Sequence, residues 1–329
     1  MNLFKIPYGI SNYRTIAREG YAYVDKTRYI RILEEYPSPF ILLLRPRRFG
    51  KSLFASVLNY YYDIAEKDNF QHLFLNTEIG HNPTTRKNSY FVLNFNFSGI
   101  ASGSESELYE SFRKKARNAL QLFIVRYNLD VELQNSGSAA DQLSEFFMSI
   151  ASKIDRSVYV IIDEYDQFAN ELLSFHLPGF QNSIGRNGFV RKWYEVLKEA
   201  TATIVDRIFI TGVSPITLDS LTSGFNISDN ISRLSLVNAI MGFTGEEIHT
   251  QDTMQEKLSL SDRFGLTVTF PPPGQQLYLQ IVEHLVQERG IEMDAELLRQ
   301  KALEWERAHH GRSGRTAHQF VNSLSNCHL

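Results

Sequence analysis

Short apolar runs alternate with longer amphipathic stretches through the first part of this chain. Pro39-Phe40-Ile41-Leu42-Leu43-Leu44 is apolar, and Lys51 to Ile64 follows with Leu53, Phe54, Val57, Leu58 and Tyr61 at helical spacing. That sequence reads strand, turn, helix. Tyr90-Phe91-Val92-Leu93-Asn94-Phe95, Val158-Tyr159-Val160-Ile161-Ile162 and Arg207-Ile208-Phe209-Ile210-Thr211 are too short and too rich in β-branched and aromatic residues to favour helices. Helical stretches, Glu105 to Arg126, Ala139 to Lys153 and Asn187 to Ala200, lie between them. The alternation predicts an α/β fold, and the near-continuous apolar strands predict a parallel sheet covered by helices on both faces.

The pattern changes after about Phe243. Glu246 to Ser261 is polar, Leu266 to Phe270 reads as a last core strand, and Pro271-Pro272-Pro273-Gly274 is a rigid break. Gln275 to Glu288, Asp294 to His309 and Thr316 to Leu324 then carry helical periodicity. The expected organisation is a core over 1–243, a junction with the last core strand over 244–273, and a small all-α lid over 274–329.

Composition narrows this picture only a little. With 329 residues, 43% hydrophobic and 22% charged, the chain has enough material for a large core and a companion. A net charge of -3 provides no global field for nucleic acid or anionic lipid. The single cysteine, Cys327, excludes an intramolecular disulfide and a cysteine-based zinc site, and no run reaches the ~18 apolar residues of a membrane span. The expectation is a cytoplasmic protein with no membrane partner.

The chemistry concentrates after the first strand. Arg45, Pro46, Arg47, Arg48, Phe49, Gly50, Lys51, Ser52 and Leu53 sit between an apolar strand and a helix, as a phosphate loop requires. Gly50 permits close backbone approach, Lys51 reaches β- and γ-phosphates, and Ser52 ligates Mg²⁺ while the helix N-terminus faces the anion. Arg45 stands where the general pattern has glycine, followed by Pro46, which has no amide donor. The competing reading is a basic turn that caps a helix or grips nucleic-acid phosphate.

A partner motif favours nucleotide. Asp163-Glu164 emerges from the carboxyl end of a buried strand, the edge where open α/β sheets bind ligands. Asp163 would hold Mg²⁺ through water, and Glu164 would orient or deprotonate the water attacking the γ-phosphate. Asp166 fits a cap better than a ligand. Thr211, at the end of a neighbouring strand, is the candidate sensor of the γ-phosphate, with Ser214 as alternative; a hydroxyl that only satisfies the following turn is the plain reading.

These residues resemble a known family. Tyr23-Val24-Asp25-Lys26-Thr27, Arg45 to Ser52, Ile162-Asp163-Glu164-Tyr165-Asp166, Thr211-Gly212-Val213-Ser214-Pro215 and Ser223-Gly224-Phe225-Asn226-Ile227 together look like the bacterial AAA-ATPase-like family, over about Leu3 to Phe243. The resemblance implies a P-loop NTPase of the ASCE/AAA+ class, and makes Arg45 a normal feature of the loop. The nuclease domain that commonly accompanies the family is not evident. Instead Glu256 to Leu266 and Gly311 to Ala317 resemble the C-terminal part of a second group, uncharacterised predicted AAA+ ATPases. That second resemblance implies an arginine finger at Arg263, reaching the nucleotide of a neighbouring copy, and a nucleotide-sensing lid arginine at Arg315; solvated or locally paired arginines are the alternatives.

The expected function is binding of ATP and Mg²⁺-dependent hydrolysis coupled to conformational change. A nucleotide-binding switch with little turnover and a nucleic-acid-binding protein are the rivals. A homo-oligomer rests on Arg263, and a nucleic-acid or protein client is left open.

Overall fold

The computed structural model describes residues 5–100, 104–167, 188–214, 227–244, 275–288, 293–308 and 314–325. The chain divides into two compact units, Met1–Asp252 and Thr253–Leu329. The first is built on a five-stranded sheet of β1 (Phe40–Leu44), β2 (Phe91–Asn96), β3 (Val158–Asp163), β4 (Val205–Gly212) and β5 (Asp229–Asn230), in the order β2-β3-β4-β1-β5. Every pairing is parallel. β4 therefore stands between the strand that leads into the phosphate loop and the strand that ends in the acidic pair.

Alternation along each strand sorts side chains onto two faces. Val158, Val160 and Ile162 of β3, with Leu42, Ile208 and Ile210, pack against α6 (Glu105–Arg126), α7 (Ala139–Ile150) and α8 (Phe189–Ala200). Tyr159 and Ile161, with Ile41, Leu43 and Phe209, pack against α1 (Tyr13–Glu19), α2 (Arg28–Glu35), α3 (Lys51–Tyr62) and α4 (Phe70–Phe74). The strands are apolar on both sides because both sides are covered. The register leaves the ends of β1, β3 and β4 together along the carboxyl edge: Leu44 pairs with Gly212, and Ile162 with Ile210.

Several expectations need adjustment. The helices α1, α2, α4 and α5 (Glu78–His81) were not read from the sequence, being no longer than 8 residues. Asn12 accepts the Thr15 amide ahead of α1, and Gly20 ends that helix in the left-handed region at φ 67°. Asp25 accepts the amides of Thr27 at 2.8 Å and Glu78 at 2.7 Å, tying the starts of α2 and α5 together. The two-residue β5 was also missed, since two polar residues carry no periodicity. The expected strand Leu266 to Phe270 lies outside the described residues.

In the second unit, α9 (Gln275–Glu288), α10 (Ala295–Ala308) and α11 (Gly314–Ser325) share a core that includes Tyr278, Val282, Leu298, Ala302, Phe320 and Val321. Asp294 starts α10 by accepting the amides of Glu296 and Leu297 at 3.0 and 3.1 Å.

Candidate functional site at the carboxyl edge of the sheet

The chain leaves β1 at Leu44 and enters α3 at Lys51 through a loop with two left-handed residues, Arg48 at φ 68° and Gly50 at φ 85°. A Cβ on Gly50 would meet nothing within 4 Å, so the requirement for glycine there is conformational rather than steric. Gly50 is the N-cap of α3 and places no side chain over the first-turn amides. Lys51 is buried, 4% exposed, because the loop wraps it. Its Nζ donates to the Pro46 carbonyl at 3.2 Å and lies 3.9 Å from Glu164 Oε1.

Arg45 does a different job from the one its position suggested. Its Nη1 donates to the carbonyls of Leu44 and Ser232, both at 2.9 Å, and its Nη2 to that of Val237 at 2.7 Å. Burial also lowers its proton affinity. In this arrangement the guanidinium braces the base of the loop. The same segment holds the loop twice more: the Ser232 hydroxyl accepts the Leu44 amide at 2.8 Å, and the Gly242 amide donates to the Phe49 carbonyl at 3.0 Å. Gly242 has φ 77°, and a Cβ there would come within 3.0 Å of the Phe49 ring. Sequence reasoning missed Ser232, Val237 and Gly242, which hold the loop through two carbonyls, one amide and a single serine hydroxyl. Arg47, Arg48 and Phe49 are exposed at the loop's tip.

The acidic pair faces this loop. Asp163 is buried, 5% exposed, accepts the Glu164 amide at 3.0 Å and is hydrogen-bonded by the Ser52 side chain. Burial raises its proton affinity, against the pull of the Ser52 bond and the Lys51 charge. Glu164 sits at φ 55°, a conformation that disfavours a residue with a Cβ. Burial raises its proton affinity too, opposed by Lys51 and reinforced by the charges of Asp163 and Asp166. Among the described residues, Lys51 is the ionic partner of its carboxylate. Thr211, one register step beyond the Ile162–Ile210 pair and so beside Asp163, is fully buried, and among the described residues its Oγ1 has no hydrogen-bond partner. Ser214 offers its carbonyl to the Tyr165 hydroxyl at 2.6 Å.

Lys51, Ser52, Asp163, Glu164 and Thr211 thus share one edge. Arg263 lies outside the described residues. Arg315 falls in α11, in the other unit, and its side chain is not among those described.

A second buried ionic cluster lies where α3 ends, beside the start of β2. Asp63 accepts from Arg126 at 2.6 Å, from the Tyr127 hydroxyl at 2.9 Å and from the Ala65 amide at 2.8 Å. Glu66 accepts from Arg126 at 2.5 Å, from Asn69 at 3.1 Å and from Arg14. Arg14 also lies over the Tyr60 ring, 4.8 Å from its centroid. Burial raises the proton affinity of Asp63 against the charge of Arg126.

Residues 7–222 match the model of a family described as predicted AAA-ATPase. The chain belongs to that family. Residues 233–328 match a second model, described as a protein of unknown function (DUF815). A relative from Azotobacter chroococcum mcd 1, an uncharacterized protein in the vnfD 5' region, is 30% identical over 250 residues, covering 75% of this chain and 45% of its own length. The chain therefore spans under half of that relative. Among solved structures, a chain from Drosophila ORC bound to AT-rich DNA and Cdc6 aligns at 13% identity with a TM-score of 0.27, over 95% of this chain and 91% of its own.

The family is described as predicted ATPases, and here its residues build an α/β parallel-sheet fold with β4 inserted between β1 and β3. Among the described residues no helix is long and apolar enough to cross a membrane.

Proposed function

We propose that the N-terminal unit binds ATP with Mg²⁺ and hydrolyses it at the carboxyl edge of the sheet. The observation that carries this reading is the convergence of a wrapped lysine, a hydroxyl-carboxylate pair, a strained glutamate and an orphaned buried hydroxyl on one edge. Lys51 leaves the Pro46 carbonyl for the phosphates, and the uncapped amides of α3 receive them. The Ser52 hydroxyl and Asp163 carboxylate are hard oxygen donors that suit Mg²⁺, which takes few protein ligands and completes its shell with water and phosphate. Bound there, the metal would neutralise charge on the phosphate oxygens.

Release of Lys51 also frees Glu164, whose proton affinity, raised by burial, suits a general base working nearer neutral pH. Thr211 supplies a donor with no partner in the absence of ligand, which a γ-phosphate oxygen would satisfy. Arg45 is assigned to holding the loop, and Arg47 and Arg48 to its exposed tip. The segment 274–329 is assigned the part of a lid that moves with nucleotide state, with Arg315 as its sensing residue, and Arg263 that of a finger offered to a second copy.

Binding of labelled ATP and steady-state phosphate release test the reading together. Lys51→Ala should lose nucleotide affinity, and Glu164→Gln should keep it while phosphate release falls by about 10²- to 10⁴-fold. Equal release from wild type and Glu164→Gln would sink the hydrolase and leave a nucleotide-binding switch. Affinity retained by Lys51→Ala would sink the loop assignment.

A further inference from the structure

Two residues past Glu164, the chain turns an acidic side chain inward. Asp166 is 1% exposed, and its carboxylate accepts the amides of Val213, at 3.0 Å to Oδ2 and 3.2 Å to Oδ1, and of Ser214, at 2.5 Å. Tyr165 adds two more ties between the same segments: its amide donates to the Thr211 carbonyl at 3.2 Å and its hydroxyl to the Ser214 carbonyl at 2.6 Å. The stretch that follows β4 is therefore held to the stretch that follows β3 by a carboxylate, a phenol and a backbone bond.

The approach is so close that only glycine fits between the two segments. A Cβ on Gly212 would lie 2.4 Å from Asp166 Oδ1 and 2.5 Å from the Tyr165 ring. Burying a carboxylate within the field of two others is costly. An asparagine would offer one acceptor oxygen where the two amides now share a carboxylate. Nothing in the packing of a parallel sheet requires this connection, because β3 and β4 are already paired along their length.

We infer that Asp166 is a positioning residue for ATP hydrolysis: by receiving the Val213 and Ser214 amides it holds Thr211 and Glu164 as one rigid unit, and so governs turnover rather than nucleotide affinity. This rests on the hydrolytic reading given above. The unit explains how Glu164 is kept at φ 55° without a hydrogen bond of its own to the opposite strand: the residues on either side of it are fixed, Asp163 by β3 and Tyr165 by Thr211.

The test is phosphate release and nucleotide binding for Asp166→Asn beside wild type and Glu164→Gln. Asp166→Asn should bind ATP within about twofold of wild type and lose about 10- to 100-fold in kcat. Wild-type kcat at wild-type affinity would overturn the inference and leave the ATPase standing. Failure of wild type itself to exceed Glu164→Gln would overturn both. Should Asp166→Asn not fold, Tyr165→Phe breaks the outer tie alone; a reduced kcat at unchanged affinity supports the inference, and an unchanged kcat removes it.

Discussion

The two ends of α3 carry two buried ionic clusters that differ in one respect. Twelve residues of helix, about 18 Å, separate Lys51 from Asp63. At the far end Asp63 and Glu66 are surrounded by donors from their own chain: Arg126, Tyr127, Ala65, Asn69 and Arg14. At the near end Glu164 meets Lys51 at 3.9 Å, and the Thr211 hydroxyl has no hydrogen-bond partner among the described residues. Burial raises the proton affinity of Asp63, Asp163 and Glu164 alike. A perturbed carboxylate therefore does not separate a site from a strut. What separates them is how the carboxylates are met: Asp63 and Glu66 receive several close donors, although Arg14 Nε beside them has no partner among the described residues, whereas Glu164 has one lysine at 3.9 Å.

Removing a partner from each end sharpens the contrast. Asp63→Ala leaves the Arg126 guanidinium without its main carboxylate and removes the cap at Ala65, so stability should fall by about 3–5 kcal/mol; denaturant unfolding measures it. ATP affinity of the remaining folded protein should be unchanged. A loss below about 1 kcal/mol would mean the far cluster is not the strut it resembles.

Thr211→Val makes the opposite exchange. It replaces an unsatisfied buried hydroxyl by a methyl of similar shape, so the ligand-free protein should gain about 1 kcal/mol while phosphate release slows by about tenfold, a factor equal to about 1.4 kcal/mol. Thermal melts and turnover, measured side by side, check both halves. A destabilised, fully active variant would mean that the hydroxyl serves the fold.

The smallest expected effect is the pH dependence of stability at Glu164. Its folded-state proton affinity is raised above the ordinary value of 4.5, chiefly by burial. Its contribution is thus fully present below the unfolded value and is lost as pH rises through the higher folded one. Glu164→Gln cannot ionise, so its stability relative to wild type should rise from acid toward neutral pH across that window. A flat difference between the two unfolding curves would show that Glu164 is not held at a cost.

Much of the architecture was legible because it was written in periodicity. The four apolar runs became β1 to β4, and α6, α7 and α8 appeared where helical spacing put them, since each buries one continuous face. The acidic pair was legible from its place at a strand's end. What escaped was built from backbone atoms: β5, the carbonyls of Ser232 and Val237 under Arg45, and the amides of Val213 and Ser214 on Asp166. Arg45 shows the limit most sharply. A cation in a phosphate loop reads as a ligand for anions, and only the carbonyls around it reveal the other use.

The brace on the loop also bears on where this molecule can be joined to another. The match to the predicted AAA-ATPase family ends at 222 and the second match begins at 233. A fragment or fusion cut at either number would discard the Val237 carbonyl under Arg45 and the Gly242 amide on Phe49, and the earlier cut would remove β5 as well. A cut that keeps the Val237 and Gly242 bonds to the loop must fall after Gly242. Two recognisable sequence modules here meet inside one mechanical part.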